Sequence, residues 1–248
     1  MRRCAGALLL TLVFLAATGL VTTAPDWSAL LCPPASCPGH PLGTDELGRD
    51  LLALIAVGLL HSILLASAAL AGSLAAGVLL GSVLGVVPAG VDLWLSRVLD
   101  LFAALPVMLV ALVAVGLFGR SSTSLVVSLS LAGFVPAARV LRVNLRNAYA
   151  GPAVSLARWQ GLGLAKVWGR HLGPVILRTL GPVSALLWPQ LLLAEGMLGF
   201  LGLSLRDPAV TLGTLLAEGS SRIATAPWGV ASTTSTLFLL VFVARRRE

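Results

Sequence analysis

Glu195 is a carboxylic acid inside a long apolar run, and an ionised group there costs a few kcal/mol unless it faces a partner or a wet cavity. Two chemistries fit it: a carboxylate on a path for solute or protons, and a buried hydrogen bond between helices. His40, Asp45, Glu46 and Asp50 offer nitrogen and oxygen ligands. Their spacing matches no compact metal-binding signature, and Pro41, Gly43 and Gly48 read instead as a turn-rich structural loop, so no metal site is expected. Lys166 is the single lysine and stands between Ala165 and Val167. A phosphate-cradling loop ends in Gly-Lys-Ser or Gly-Lys-Thr, so ATP hydrolysis by such a loop is excluded. No grouping of His, Asp, Glu and Ser indicates an assembled catalytic centre, and no catalytic residue is assigned. Asp100 follows Arg97 by three residues, a spacing that predicts a pair on one helix near the membrane surface. Cys32 and Cys37 flank Pro33, Pro34, Ala35 and Ser36, and both a disulfide and two free thiols are compatible with that spacing.

The elements that position these groups follow from composition. Hydrophobic residues make up 57% of the 248 and charged residues only 11%, with a mean hydropathy of +0.96. Soluble domains carry about 25% charged residues, so the expected class is an all-α polytopic membrane protein. A helix needs about 20 apolar residues to cross the hydrocarbon core, and the chain offers about six such stretches. They run near Ala5–Thr23, Leu59–Val87, Leu93–Phe118, Leu125–Ala138, Val175–Leu203 and Pro227–Ala244. The fourth is short, which predicts that its helix continues through Arg139 and Arg142. Pro106, Pro182 and Pro189 fall inside spans and should kink them. The net charge of +7 sits beside the spans and includes one lysine, a pattern of topology and not of nucleic-acid binding.

Arg139 to Arg178 hold seven basic and no acidic residues, which marks a cytoplasmic loop. Arg2, Arg3 and Arg245 to Arg247 then place both termini in the cytoplasm, whereas Pro25 to Asp50, with four acidic residues against Arg49, suits the outer side. The first stretch also fits a secretory signal, but without a clean cleavage site it is read as a retained helix. The resulting division is 1–58, first helix and outer loop; 59–244, transmembrane domain with a special loop at 150–174; and 245–248, a cytoplasmic tail. Within that loop Pro152 to Arg170 read as two short amphipathic helices hinged at Gly161 and Gly163, with Pro152 as a first helical residue. Val154, Ala157, Gly161, Leu164, Ala165, Trp168 and Leu172 form one apolar stripe. Such a stripe needs a cover, and either lipid headgroups or a soluble partner would serve.

The wording of the loop adds to this. Ser155, Leu156 and Ala157, then Gly161, then Leu172 and Pro174, resemble the Glu-Ala-Ala, Gly, Ile-x-Leu-Pro signature of permease subunits of ATP-binding-cassette importers. Ser155 stands where that family has Glu, and Gly173 where it has Leu. Four further segments resemble the dipeptide, oligopeptide and nickel branch: His40 to Asp50, including Asp45, Gly48, Arg49 and Asp50; Arg97, Asp100 and Pro106; Gly133, Arg139 and Arg142; and Glu195 to Leu203, including Gly202, followed by Gly213 to Gly219. The resemblance runs from about His40 to about Trp228.

It implies a type I importer permease fold with a coupling helix at 150–174, in the cytoplasmic membrane of a prokaryote. It also implies two ATPase subunits carrying ATP and Mg, a second homologous permease and an extracytoplasmic binding protein, with no cofactor in this chain. A short peptide is the expected solute, with nickel or a metal chelate as the alternative. A reading of another class is a self-contained secondary transporter or channel, in which Glu195 would be essential for ion coupling.

Overall fold

The computed structural model describes residues 29–245 apart from 35, 38, 105 and 206–208; the stretch Ala5–Thr23, expected as the first span, lies outside the described residues. Helices dominate, and the only β feature among the described residues is an isolated bridge between Thr44 and Asp50. In chain order they are α1 (Leu51–Val86), α2 (Ala89–Ala104), α3 (Val107–Phe118), α4 (Ser122–Tyr149), α5 (Pro152–Trp159), α6 (Leu164–Val167), a π-helical turn (Trp168–Leu172), α7 (Gly173–Phe200), α8 (Leu212–Ser220) and α9 (Pro227–Arg245).

Four helical stretches among the described residues are long and apolar enough to cross a membrane: Leu51–Val86, Ser122–Tyr149, Ala165–Phe200 and Pro227–Arg245. A further pair, Gly90–Ala104 with Leu109–Phe118, is apolar enough only when taken together and is bent by 83° at a break, the form of a broken span or of a re-entrant loop. The break sits before Pro106, which caps α3 and cannot donate to the preceding turn, as expected from its type. The span expected from Leu59 begins earlier, at Leu51, so the boundary placed at 58/59 falls inside α1. Asp50 explains the shift, because its side chain accepts from the Leu52 N–H at 3.1 Å and nucleates the helix ahead of the most apolar residues. The expected extension of the short fourth span is present, as α4 carries on past Arg139 and Arg142 to Tyr149.

α1 and α4 pack parallel at backbone distance, and the sequence permits this only with small residues. A Cβ on Gly77 would stand 2.6 Å from the Ala137 Cβ, one on Gly81 2.8 Å from the Leu141 Cβ, and one on Gly85 2.7 Å from the Leu145 Cβ. α7 lies against this pair through Val183 and Leu187 beside Ala137, and through Leu191 beside Leu129 and Leu65. At one end of the bundle α2 is tied to α4 by charge. Arg142 donates to both carboxylate oxygens of Asp92 at 2.6 Å, and Arg146 pairs with the same carboxylate.

The other end is closed by residues 43–50. Asp45 Oδ1 accepts from the N–H groups of Leu47 (2.9 Å) and Arg49 (2.7 Å), and its Oδ2 accepts from Arg49 Nε (2.6 Å). Arg49 Nη2 also reaches Glu218 on α8 at 3.7 Å, and Arg222 pairs with Glu46. Cys32 and Cys37 are joined by a disulfide, which resolves the choice that spacing left open. Asp45→Ala strips three hydrogen bonds from this clasp, so it is expected to cost roughly 2–3 kcal/mol. Thermal unfolding in detergent would register this as a lowered midpoint, with Asp45→Asn milder.

Candidate functional site

The 150–174 segment follows α4, which carries it clear of the span. Its first helix, α5, has Gly151 as N-cap and Pro152 at N1, where a missing N–H is harmless. α5 ends in a Schellman motif: the Gly161 N–H bonds the Arg158 carbonyl and the Leu162 N–H bonds the Ala157 carbonyl, both at 3.0 Å. Gly161 holds φ +74°, a conformation that costs other residues about 1–2 kcal/mol. The hinge expected at Gly161 is therefore a capped stop that turns the chain into α6. No atom would lie within 4 Å of a Cβ on Gly161, so a substitution suffers from backbone conformation and not from a clash. Gly161→Val is expected to lose about 1–2 kcal/mol of local order and most of the segment's function, with Gly161→Asn close to wild type; limited proteolysis of the loop and solute uptake would both report it.

Pro174 shapes the far end of the segment. It has no N–H for the Arg170 carbonyl and its ring crowds that oxygen, so the preceding turn widens to π geometry and the Gly173 N–H bonds the Trp168 carbonyl instead. Leu172, just before, is fully buried.

The apolar stripe differs from expectation in one respect that changes its meaning. Of its residues Val154, Ala157 and Leu172 are buried and Trp168 half-buried, while Gly161 and Ala165 are exposed; the buried ones, joined by Val167 from outside the stripe, are covered by the chain itself, clustering with Leu145 of α4 and with Ala148, Tyr149, Trp168, Val175 and Ile176 around them. The buried part of the stripe therefore fixes the segment to the roots of α4 and α7. Sequence periodicity finds an apolar face but cannot tell which surface it meets. Arg158 adds a polar pin, lying 5.7 Å over the Tyr149 ring and donating to its hydroxyl at 3.4 Å. Asn144 of α4 donates to Thr179 of α7 at 3.1 Å.

What the segment turns outward is the other face of α5. Leu156 is 62% exposed and Trp159 89% exposed, one helical turn apart, with Ser155 exposed beside them. Ser155 lies in the first turn and its hydroxyl donates to the Gly151 carbonyl at 3.2 Å. Sequence reasoning passed over Trp159, although its i, i+3 spacing from Leu156, off the stripe, was the available signal. An exposed tryptophan on a helix locked from behind is the form of a preset anchor for a partner groove.

The remaining sequence-predicted residues do not join this site. Asp45, Gly48, Arg49 and Asp50 form the clasp at the opposite end. Gly202, with φ +73°, is the C′ residue of a Schellman motif that ends α7, with its N–H on the Gly199 carbonyl (2.9 Å) and the Leu203 N–H on the Leu198 carbonyl (2.8 Å). Glu195 is 1% exposed, with Ser204 Oγ 3.4 Å from its Oε1, and its Oε2 has no hydrogen-bond partner among the described residues. Ser204 and Thr211 Oγ1 lie 3.4 Å apart, and Ser62 of α1 accepts from the Leu212 N–H at 3.1 Å, so this polar group pins the segment after α7 beneath the start of α8. Asp100 does not pair with Arg97. Its partner is Arg139 of α4, at 2.5 Å, because α2 runs antiparallel along α4 and brings together charges that are far apart in sequence. Among the described residues no group of three or more His, Cys, Asp or Glu is placed to hold a metal ion.

Comparison with known proteins agrees with this architecture. Residues 77–246 match the family model described as binding-protein-dependent transport system inner membrane component. The oligopeptide transport system permease protein OppC of Salmonella typhimurium is 28% identical over 138 residues, 56% of this chain and 46% of that protein. The dipeptide transport system permease protein DppC of Alkalihalophilus pseudofirmus is 27% identical over 162 residues, 65% of this chain and 53% of that one. The chain thus spans about half the length of the curated relatives it matches. Among solved structures, an inward-facing MetNI methionine ABC transporter shares the fold, with a TM-score of 0.62 at 16% identity over 78% of this chain and 92% of that one. With its helical bundle and most of its length matched, the chain belongs to the family of inner membrane components of binding-protein-dependent transport systems.

Proposed function

We propose that this chain is a permease subunit of an ATP-driven importer, and that α5 is the element through which separate ATPase chains move it. The observation that carries the reading is Trp159, 89% exposed on a helix whose opposite face is anchored to α4 and α7. A push on α5 is passed to two spans at once, since Leu145 and Leu172 lie in one packed cluster. Ser155 offers no charge to the partner, so the contact falls on Leu156 and Trp159. The seven basic and no acidic residues of 139–178 put this end, and with it both termini, in the cytoplasm.

The assembly then comprises two ATPase subunits holding ATP and Mg, a second homologous permease and an extracytoplasmic binding protein, in the cytoplasmic membrane of a prokaryote. Short peptides are the proposed solute, supported by relatives named for oligopeptide and dipeptide transport. Gentle extraction of the tagged chain from its native membrane, with mass spectrometry of what accompanies it, tests the assembly. Two ATPase chains and a second permease are expected, with ATP-driven uptake of peptides; uptake of nickel alone would replace the solute, and recovery of the chain by itself, under conditions that keep a related complex intact, would favour a self-contained transporter.

A further inference from the structure

The clasp at 43–50 is held from behind by residues 31 and 32, where the Cys32–Cys37 bridge begins. The Leu31 N–H donates to the Asp45 carbonyl at 3.0 Å, the Thr44 N–H to the Cys32 carbonyl at 3.1 Å, and the Cys32 N–H to Thr44 Oγ1 at 2.9 Å. Thr44 is 1% exposed, and a Cβ on Gly43 would stand 2.3 Å from the Cys32 carbonyl oxygen, so the two segments meet without room to slide. Leu31 holds φ +49°, a left-handed conformation that a bulky side chain keeps only where its surroundings over-determine it. Contacts from this ladder reach three helices. The Leu51 N–H of α1 bonds the Gly43 carbonyl at 3.1 Å, Arg222 after α8 pairs with Glu46, and Trp228 of α9 sets its Nε1 3.2 Å from the same Gly43 Cβ position. The 36 residues of α1, at ~1.5 Å each, put about 54 Å between this end and the one where Gly85 meets Leu145 beside the basic loop. Disulfides persist in oxidising compartments and are rare in the cytosol, so the bridge marks the clasp end as extracytoplasmic on grounds separate from charge.

We propose that Cys32 and Cys37 are a site of oxidative modification, closed outside the cytoplasm by a disulfide-donating oxidant, and that the bridge locks the outer clasp onto α1, α8 and α9. The two thiols give up two protons and two electrons, and the oxidant's disulfide takes them up and leaves as a dithiol. Cys37 is half-buried and Cys32 buried, so Cys37 forms the mixed disulfide with the oxidant and Cys32 then displaces it. A dithiol reductant runs the same exchange in reverse. Without the bridge Leu31 is free to leave the left-handed region, and the ladder to Thr44 and Asp45 loses the tether one residue away. None of this depends on what the chain transports.

The test uses the full chain in its native membrane with Cys4→Ser, which leaves Cys32 and Cys37 as its cysteines. Membranes from aerated cells are quenched in acid, then denatured and treated with a maleimide polyethylene glycol before and after dithiothreitol. No adduct before reduction and two after it are expected; adducts on most chains before reduction overturn the site. Arg49 is the one Lys or Arg between residues 4 and 96 and lies inside the clasp, so tryptic cleavage after it reports whether the clasp is open. Trypsin outside sealed, right-side-out vesicles is expected to cut there about tenfold faster once dithiothreitol is added. The chain carrying Cys32→Ser and Cys37→Ser is expected to be cut at the fast rate with or without it. Cleavage that dithiothreitol leaves unchanged, in chains shown by the maleimide to be reduced, overturns the lock. Cleavage confined to inverted vesicles overturns the extracytoplasmic placement.

Discussion

Replacing Trp159 with aspartate is expected to abolish solute uptake while leaving the chain folded and inserted. The side chain is 89% exposed, so nothing in the bundle depends on it. Burying a tryptophan withdraws about 200 Å² from water, which at ~25 cal/mol per Å² is about 5 kcal/mol gross before the costs of association. Aspartate removes that gain and places a charge in a desolvated groove. A loss of at least ~2 kcal/mol, or about thirtyfold in affinity, is expected, as for other anchor residues. Leu156→Ala should act in the same direction with a smaller effect, and Val154→Ala in a different way: it loosens α5 from α4, so it lowers the thermal midpoint as well as uptake. Uptake in vesicles, co-purification of the ATPase chains and the unfolding midpoint of the same three variants separate the outward face from the anchored one.

Gly81→Leu is expected to prevent stable folding. A Cβ there already stands 2.8 Å from the Leu141 Cβ and 2.9 Å from the Ala138 carbonyl, so backbones and not flexible side-chain tips must part. Overpacking costs about 1–3 kcal/mol where neighbours can yield, and more where two helices must separate along a shared seam. Gly77 and Gly85 lie on that seam, so displacement at one point strips contacts at the other two. Gly90→Ala is the control: nothing lies within 4 Å of the added methyl, and alanine favours the helix. The yield of monodisperse protein after detergent extraction checks the pair, with a collapse expected for Gly81→Leu and wild-type yield for Gly90→Ala.

Much of this was legible from residue types, because local physics decides it. Pro106 breaks its span where a residue without an N–H must. Arg139 and Arg142 continue the short fourth span because nothing after Ala138 ends a helix before Tyr149, whereas Gly161, expected as a hinge, and Gly202, named only by resemblance, are helix stops in the left-handed conformation. What was not legible depends on tertiary placement. The partner of Asp100 is Arg139 and not Arg97, since the antiparallel course of α2 along α4 outweighs nearness in sequence. The stripe through Val154, Ala157 and Leu172 was visible as a face, but its cover by Leu145 follows only from how α5 folds back. That reversal moved the outward contact from the stripe to Leu156 and Trp159. The polar group around Glu195 gathers Ser62, Ser204 and Thr211 from three separate segments, and no spacing in the sequence announces it.

The docking of α5 is tested most directly by placing a photoreactive phenylalanine analogue at position 159 in the native membrane and identifying what it captures. A crosslink to an ATP-binding subunit, strengthened or weakened by ATP, is the predicted result. Crosslinks to lipid alone, in vesicles that still take up solute, would contradict the assignment of α5 as the point where ATP-driven motion enters.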